Sequence, residues 1–254
     1  MLGQFLQAEI FAVFLVFTRL GATIMIMPGF GEIYVPRNIR LALAVAITLA
    51  VAPVVAPLMP AQPADPLTLF MIVTGEIVIG LMIGSIARLT MSALHVSGTV
   101  IAFQSSLAFA LTMDPTQGIQ GALIASLFSL MGVVLIFSTG MHHVLIQAMY
   151  DSYVLFKPGQ VPMTGDLAQL VTDVIADSFR IGIKMAAPFL VYGIVLYTGV
   201  GLLARLMPQL PFFFVLMPLQ IWAAFFVLAI TISGTMLYFM SYFELRMSDL
   251  LLPN

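Results

Sequence analysis

The sequence predicts an all-α integral membrane protein with about six or seven apolar helices in a single domain, residues 1–254. Hydrophobic residues make up 61% of the chain and charged residues 8%, whereas a soluble domain has about a quarter of its residues charged. Apolar stretches of about 20 residues, the length that crosses a bilayer, recur along the whole chain. Lipid or the apolar surfaces of other proteins must therefore cover most of this molecule.

The apolar stretches are separated by short polar turns that are rich in proline and glycine. Pro53 and Pro57 predict a kink or fraying late in the second stretch. The most polar segment, residues 157–172, predicts a water-exposed loop, and a helix is expected to begin near Asp166. The stretches cover residues 10–27, 41–59, 67–87, 89–111, 119–137 with a continuation to 156, 185–203 and 212–240.

The few basic residues indicate how the chain is oriented in the membrane, because Lys and Arg mark the cytoplasmic side. Arg37 and Arg40 follow the first stretch, Arg88 follows the third and Lys157 follows the fifth. This alternation predicts an N-terminus on the outer side. Arg205 lies on the wrong side if every stretch spans the membrane.

Several function classes have no support in the sequence. The chain has no Cys, which excludes disulfides and thiolate metal sites, and no basic run that suggests nucleic acid. His142 and His143 are neighbours and point about 100° apart on a helix, a poor arrangement for a metal. HExxH, GxSxG and GxxxxGK[ST] motifs are absent. We therefore expect a component of an assembly, with no enzymatic activity and no cofactor.

Glu76, Gly80, Gly84 and Arg88 recur every four residues and so share one helix face. The two glycines form a GxxxG motif, which allows another helix to approach closely. One interpretation is a helix contact face with Glu76 paired inside an assembly. The alternative is a chance GxxxG motif with Glu76 paired inside the chain.

Arg19 lies near the middle of the first apolar stretch, where a lone guanidinium needs a carboxylate or carbonyl oxygens. It is either an intersubunit or pore-facing cation, or a structural partner within the chain, for which Glu76 is the candidate.

A second charged face follows the polar segment, with spacings of four, three and four residues. It is either a water-facing stripe with internal ion pairs or a docking surface for a soluble partner. Its members are Asp173, Asp177, Arg180 and Lys184.

Residues 109–118 form a mixed segment that combines Phe109 and Met113 with the Asp114-Pro115 turn. Gln104, Ser105 and Ser106 precede it. Non-helical backbone in a membrane protein is tolerated only where it is buried in protein or lines water. The composition is therefore typical of a loop that lines or blocks a cavity.

The C-terminal half contains a pattern made of Pro188, residues 201–209, Phe213 and residues 218–219. This pattern resembles the signature of the FliR family, whose members are inner-membrane components of the flagellar type III export gate and have a counterpart, the SctT family, in virulence injectisomes. Pro211 departs from the family pattern, which has Asn there. Further agreement in order and spacing covers residues 17–21, 28–31, 75–76, Gly80, Gly84, 109–118, His142, 151–153 and 158–159.

The resemblance implies a FliP-like part fused to a FliQ-like part, built of helical hairpins. Such chains assemble with FliP and FliQ into a helical, funnel-like gate, which FlhB joins, and this gate passes unfolded flagellar proteins across the inner membrane at the basal body. Some of the apolar stretches then need not span the bilayer, and partner subunits would satisfy the rare charges.

The resemblance also assigns roles to particular residues. The pore plug corresponds to the region with Phe109, Leu111, Met113, Asp114, Pro115 and Gly118. Candidates for helix packing or partner interfaces are Arg19, Glu76, Gly80, Gly84, Arg88, Arg205 and Pro208.

Three rival functions compete with the flagellar one. The same fold could serve a virulence injectisome. A stand-alone transporter of a small solute would need a midplane site, for which Arg19 and Glu76 are available, although no inverted repeat is visible. An intramembrane enzyme lacks a nucleophile–base pair. The motif set favours the flagellar role.

Overall fold

A computed structural model describes residues 2–107, 123–159, 164–207 and 212–249. All regular structure in these residues is helical, which confirms the predicted all-α class. The α-helices are α1 Leu2–Ile26, α2 Arg37–Val55, α3 Pro66–Gln104, α4 Leu123–Ser138, α5 Met141–Leu155, α6 Thr164–Leu206 and α7 Phe212–Asp249. A 3-10 turn, Ala56–Leu58, follows α2, as the two late prolines predicted.

Five of the described helices are long and apolar enough to cross a membrane, and the bent pair of α4 and α5 makes a possible sixth. The break between α4 and α5 lies at Gly140, whose φ of +78° is a backbone conformation that only glycine adopts freely. Two of the predicted stretches are joined in α3, so the described residues contain five or six spans.

Helix α3 runs unbroken for 39 residues through Arg88, so the prediction of separate helices over residues 67–87 and 89–111 is wrong. A charge alone does not end a helix, and Arg is a good helix former. The exposed Arg88 guanidinium reaches back to the last turn of α1, where it donates to the carbonyl oxygen of Ile26 at 3.3 Å. Arg88 therefore marks no loop, so two basic turns instead of three indicate the cytoplasmic side.

Helix α6 begins at Thr164, so the second half of the loop predicted for residues 157–172 is helical.

The first polar turn of the chain forms where it was expected, between α1 and α2. Arg40 holds it by donating to the carbonyl oxygens of Val35, at 3.0 and 3.1 Å, and Glu32, at 2.7 Å. The Arg40 guanidinium thus donates hydrogen bonds to carbonyl groups of the turn that have no partner within a helix.

The chain forms two compact units that draw on interleaved stretches, and the single domain over residues 1–254 stays a prediction. The first unit comprises residues 1–90, 136–175 and 244–254, and its core is built around α1, with Leu15, Leu20 and Ile24 fully buried. The second comprises residues 91–135 and 176–243.

Small residues bring the helices of the second unit close together. A methyl group added at Gly98 of α3 would overlap the backbone of Ala125 in α4, and one at Gly182 of α6 would lie 2.8 Å from the Val96 side chain. Close van der Waals packing of this kind drives helix association in lipid, where burial of apolar surface gives little net gain.

Candidate functional site

A buried ion pair links α1 to α3 within the first unit. Arg19 Nε lies 2.6 Å from Glu76 Oε2, and both side chains are almost completely shielded from solvent. A charge buried without a partner is strongly destabilising, so each residue depends on the other. The sequence left open whether Arg19 and Glu76 pair with other subunits or with each other, and in the structure they pair with each other.

The remaining donors of Arg19 bind the C-terminal end of α5. Nη1 donates to the carbonyl oxygen of Ser152 at 3.0 Å, and Nη2 donates to that of Phe156 at 3.0 Å. The Ser152 carbonyl also accepts the backbone N–H of Phe156 at 2.9 Å. The carbonyl groups at the C-terminal end of a helix carry partial negative charge, so a cation is favourable there. The guanidinium also lies 4.2 Å from the centre of the Tyr153 ring, a cation–π contact. One side chain therefore joins three helices.

Glu76 is held from a second direction by the turn after α5. Its Oε1 accepts a hydrogen bond of 3.4 Å from the backbone N–H of Gly159. Gly159 has a φ of +81° and packs against Pro60, so the turn lies over the carboxylate. The ion pair is thus enclosed by protein, and its charges need no partner subunit, contrary to what the resemblance implied for these two residues.

Gly80 and Gly84 allow α1 and α3 to approach closely enough for this pairing. A methyl group added at Gly80 would overlap the backbone carbonyl oxygen of Arg19, and one at Gly84 would lie 2.8 Å from that of Thr23. The Thr23 hydroxyl lies 2.9 Å from the Arg19 carbonyl and 3.0 Å from the Gly80 carbonyl. The GxxxG motif therefore makes its close contact with a helix of the same chain.

The other sequence candidates are exposed or lie outside the described residues. Arg205 is exposed at the end of α6. Asp177 and Arg180 form an ion pair of 3.2 Å, while Asp173 and Lys184 are exposed, so this face carries an internal pair and solvent-accessible charges. Pro208 and the predicted plug residues lie outside the described part of the chain: Phe109, Leu111, Met113, Asp114, Pro115 and Gly118.

The two neighbouring histidines belong to an aromatic row. The His142 ring lies between Phe137 and His143, with centroid distances of 5.2 and 4.0 Å, and Phe137 contacts Phe30 at 5.4 Å. The His142 and His143 rings thus contact each other, although neighbouring positions point about 100° apart around a helix. Among the described residues no group of three or more His, Cys, Asp or Glu side chains could hold a metal.

Comparison with known proteins identifies the family. Residues 10–245 match the family described as "Bacterial export proteins, family 1". The flagellar biosynthetic protein FliR of Caulobacter vibrioides is 35% identical over 226 residues, which cover 89% of this chain and 90% of the relative. The chain belongs to the FliR family. This finding confirms the resemblance seen in the sequence motifs.

Relatives of the chain from two other bacteria have lower identity. The FliR protein of Bacillus subtilis is 28% identical over 243 residues, covering 94% of this chain and 93% of the relative. The "Yop proteins translocation protein T" of Yersinia pestis is 24% identical over 223 residues, covering 87% of this chain and 85% of the relative. The similarity therefore includes a protein whose name refers to translocation of Yop proteins.

Some residues of this FliR-family chain gained their roles only from the structure. Ser152, Tyr153 and Gly159 belong to motifs that carried the resemblance, but nothing in the sequence indicated that they surround the ion pair of Arg19 and Glu76. Gln220, a buried amide in α7, was missed entirely. The available signal was a single Gln two residues after Pro218, within the apolar first half of α7.

Proposed function

We propose that this chain is the FliR-family subunit of a flagellar type III protein export gate. The coarser role, a membrane component of a type III export gate, follows from family membership. With FliP-like and FliQ-like subunits, and an FlhB-like subunit joining them, the chain forms a gated channel that passes unfolded flagellar proteins across the inner membrane. The match over residues 10–245 carries this proposal.

The flagellar role is favoured over the injectisome role by the relatives themselves. Relatives named FliR reach 35% and 28% identity over 89% and 94% of this chain, whereas the Yop translocation protein T reaches 24% over 87%. The injectisome role remains the second candidate, because that lower similarity still extends over most of both chains.

Exposed apolar surface supports the proposal of partner subunits in the membrane. Only 17% of the span in α6 and 11% of the span in α7 is buried within the chain. The exposed faces include bulky side chains that other apolar helices can pack against, namely Phe179, Tyr197, Trp222, Phe225, Phe226 and Tyr238. We propose that neighbouring gate subunits cover part of this surface and lipid covers the rest, in the inner membrane at the flagellar basal body.

The gating mechanism that we propose uses residues 109–118 as a plug. Position and composition support it: Phe109 and Met113 can seal a pore, since Met is adaptable and polarisable, and the Asp114-Pro115 turn and Gly118 allow a second arrangement. In the resting gate the plug blocks the pore. During export it moves aside, and the soft side chains limit ion leakage around the moving polypeptide.

Complementation in a flagellated host tests the function. The host's own gene for the FliR-family subunit is deleted and replaced by the tagged chain, and motility and secretion of flagellar proteins are measured. Recovery of motility, together with co-purification of FliP-like and FliQ-like subunits in one complex, is expected. Injectisome subunits in that complex would favour the second candidate. A stable chain without partners would contradict both and favour the solute transporter.

Ion leakage tests the plug separately. Deletion of residues 111–117 should make the membrane leaky to small ions while the complex still assembles. The matched control replaces residues 61–64, part of the proline-containing connector before α3, with an equal number of Gly and Ser residues and should leave the membrane tight. Unchanged leakage after the plug deletion would overturn the gating mechanism.

A further inference from the structure

A polar cluster lies among the apolar helices of the second unit. The Gln220 cluster comprises Gln220 of α7, Gln104 of α3, and Tyr192 and Tyr197 of α6. Gln220 is 5% exposed. Burial of a carboxamide is costly unless its donors are hydrogen-bonded, so a Gln at this place must have specific partners.

Both amide hydrogens of Gln220 have partners on other helices. Nε2 donates to the backbone carbonyl of Gln104 at 2.8 Å and to the Tyr197 hydroxyl at 2.9 Å. A backbone carbonyl can only accept, so the NH₂ group must be the end of the carboxamide that faces α3. The Tyr192 hydroxyl donates to the backbone carbonyl of Gln220 at 2.9 Å. The cluster therefore ties α3, α6 and α7 together at one point.

The carbonyl group that Gln220 binds is the last one of α3, and among the described residues Gln220 supplies its donor. The preceding carbonyl groups, of residues 101–103, accept hydrogen bonds from Ser105 N at 2.9 Å, Ser105 Oγ at 3.1 Å and Ser106 N at 3.3 Å. Gln104 itself has its carbonyl capped from α7. All four terminal carbonyl groups of α3, which usually lack partners within a helix, therefore accept hydrogen bonds.

The backbone after Gln104 is held in an unfavourable conformation. Ser106 has a φ of +58°, in the left-handed region that side chains other than glycine rarely adopt. Such a conformation persists only where its surroundings hold it. The Gln104 side chain also lies against Gly193 of α6, where an added methyl group would overlap its Oε1. The end of α3 is therefore fixed from two helices.

We propose that Gln220 is a positioning residue of the gate. Its carboxamide fixes the end of α3 and so sets the direction in which the chain leaves that helix towards residues 109–118. Loss of this hydrogen bond loosens the helix end and allows ions to leak through the resting gate. This inference rests on the proposed function, in which residues 109–118 are the plug.

The absence of Cys from the chain makes the local effect measurable. Ser105→Cys reports on the end of α3, where Ser105 is 1% exposed, and Ser97→Cys reports on the same helix two turns earlier, where Ser97 is 0% exposed. Both are labelled in the assembled complex with a small membrane-permeant thiol reagent. Gln220→Leu should raise the labelling rate at Ser105→Cys about tenfold, the factor that one hydrogen bond to a buried carbonyl group represents.

Two controls separate local loosening from general damage. Labelling at Ser97→Cys should stay slow in the Gln220→Leu background. Gln147→Leu, the same substitution at an exposed position of α5, should change labelling at neither site. Faster labelling at both serine positions in the Gln220→Leu background would assign Gln220 a merely structural role and overturn the inference.

A titratable replacement gives a second readout, which loss of packing alone would not produce. In Gln220→Glu the introduced carboxyl group can donate to the Gln104 carbonyl when protonated and repels it when ionised. Burial favours the neutral form. Ion leakage should therefore be low at acidic pH and rise as pH increases, whereas leakage in Gln220→Leu should be raised at every pH.

The outcomes distinguish this inference from the proposed function. If the unsubstituted chain restores motility but Gln220→Leu leaves Ser105→Cys protected and the membrane tight, the inference is wrong and the function stands. If the unsubstituted chain does not restore motility, the proposed function fails. In that case a positioning role in the gate fails with it, even if labelling still shows that Gln220 holds α3.

Discussion

Arg19 of α1 and Glu76 of α3 form an ion pair of 2.6 Å from which solvent is excluded. The pair lies at a close approach of α1 and α3, beside Gly80, and it also holds the end of α5 through the Ser152 and Phe156 carbonyl groups. The stability of the folded chain therefore depends on both charges being present, because each one is stabilised by the other and by groups of α5 and of the turn after it.

Removal of one charge of this pair should destabilise the chain strongly. We expect Glu76→Gln to lower the free energy of unfolding by about 3–5 kcal/mol, because the Arg19 guanidinium is left buried without a counter-ion. Thermal unfolding in mild detergent measures the effect. Glu244→Gln, at an exposed position of α7, is the matched control and should change little. A double substitution, Arg19→Met with Glu76→Leu, should recover much of the loss; equal damage would contradict this explanation.

The glycine face of α3 offers a graded test of helix packing. Gly80→Ala should destabilise by about 1–3 kcal/mol, since the added methyl group meets the rigid backbone carbonyl of Arg19. Gly84→Ala should also destabilise, because its methyl group lies 2.8 Å from the Thr23 carbonyl. Gly75→Ala, in the same helix with nothing within 4 Å, is the control and should not lower the melting temperature. Equal effects at Gly75 and Gly80 would exclude the proposed packing contact.

Gly29 and Gly140 both have a positive φ, but replacement by alanine should destabilise the chain by different amounts. Gly140→Ala should cost about 1–2 kcal/mol from backbone conformation alone, because its methyl group meets only His143 at 3.6 Å. Gly29→Ala should cost more, because its methyl group would also lie 2.5 Å from the Phe137 ring. The amounts of folded chain in membranes and the melting temperatures should rank accordingly, and the reverse order would refute the assignment.

The start of α3 gives a pH-dependent contribution to stability. The backbone N–H of Thr68, at 3.1 Å, and then its hydroxyl, at 2.9 Å, donate to Asp65 and hold the pKa of its carboxyl below its ordinary value. A lowered pKa means that the folded state favours the ionised form. The stabilisation is therefore present above the unfolded pKa and lost as pH falls through the folded pKa.

Asp65→Asn tests this titration, because Asn keeps an oxygen that can cap the helix but does not ionise. The melting temperature of the unsubstituted chain should exceed that of the variant at neutral pH, and the difference should shrink as pH falls below about 4. A difference that does not change with pH would show that the carboxylate does not stabilise the cap.

The sequence determined the features that depend on local pattern. Apolar runs and sparse charge predicted the helical membrane class, and the GxxxG motif marked a close-packing face. Helix α2 ends at Val55, between Pro53 and Pro57, and α6 ends at Leu206, next to Arg205, where a break was predicted. The sequence did not predict that α3 continues through Arg88, because whether a charge is compatible with a long apolar helix depends on what it can reach.

Only the tertiary structure decided which groups pair. Glu76 is 57 residues from Arg19 in sequence, and the carbonyl groups of Ser152 and Phe156 are 133 and 137 residues away. Residue type states that a buried guanidinium or carboxamide needs partners, but it does not name them, because many carbonyl groups are chemically equivalent and only the packing of distant helices brings one within 3 Å. The same reason explains why the sequence did not reveal the partner of Gln220, which caps a helix 116 residues away.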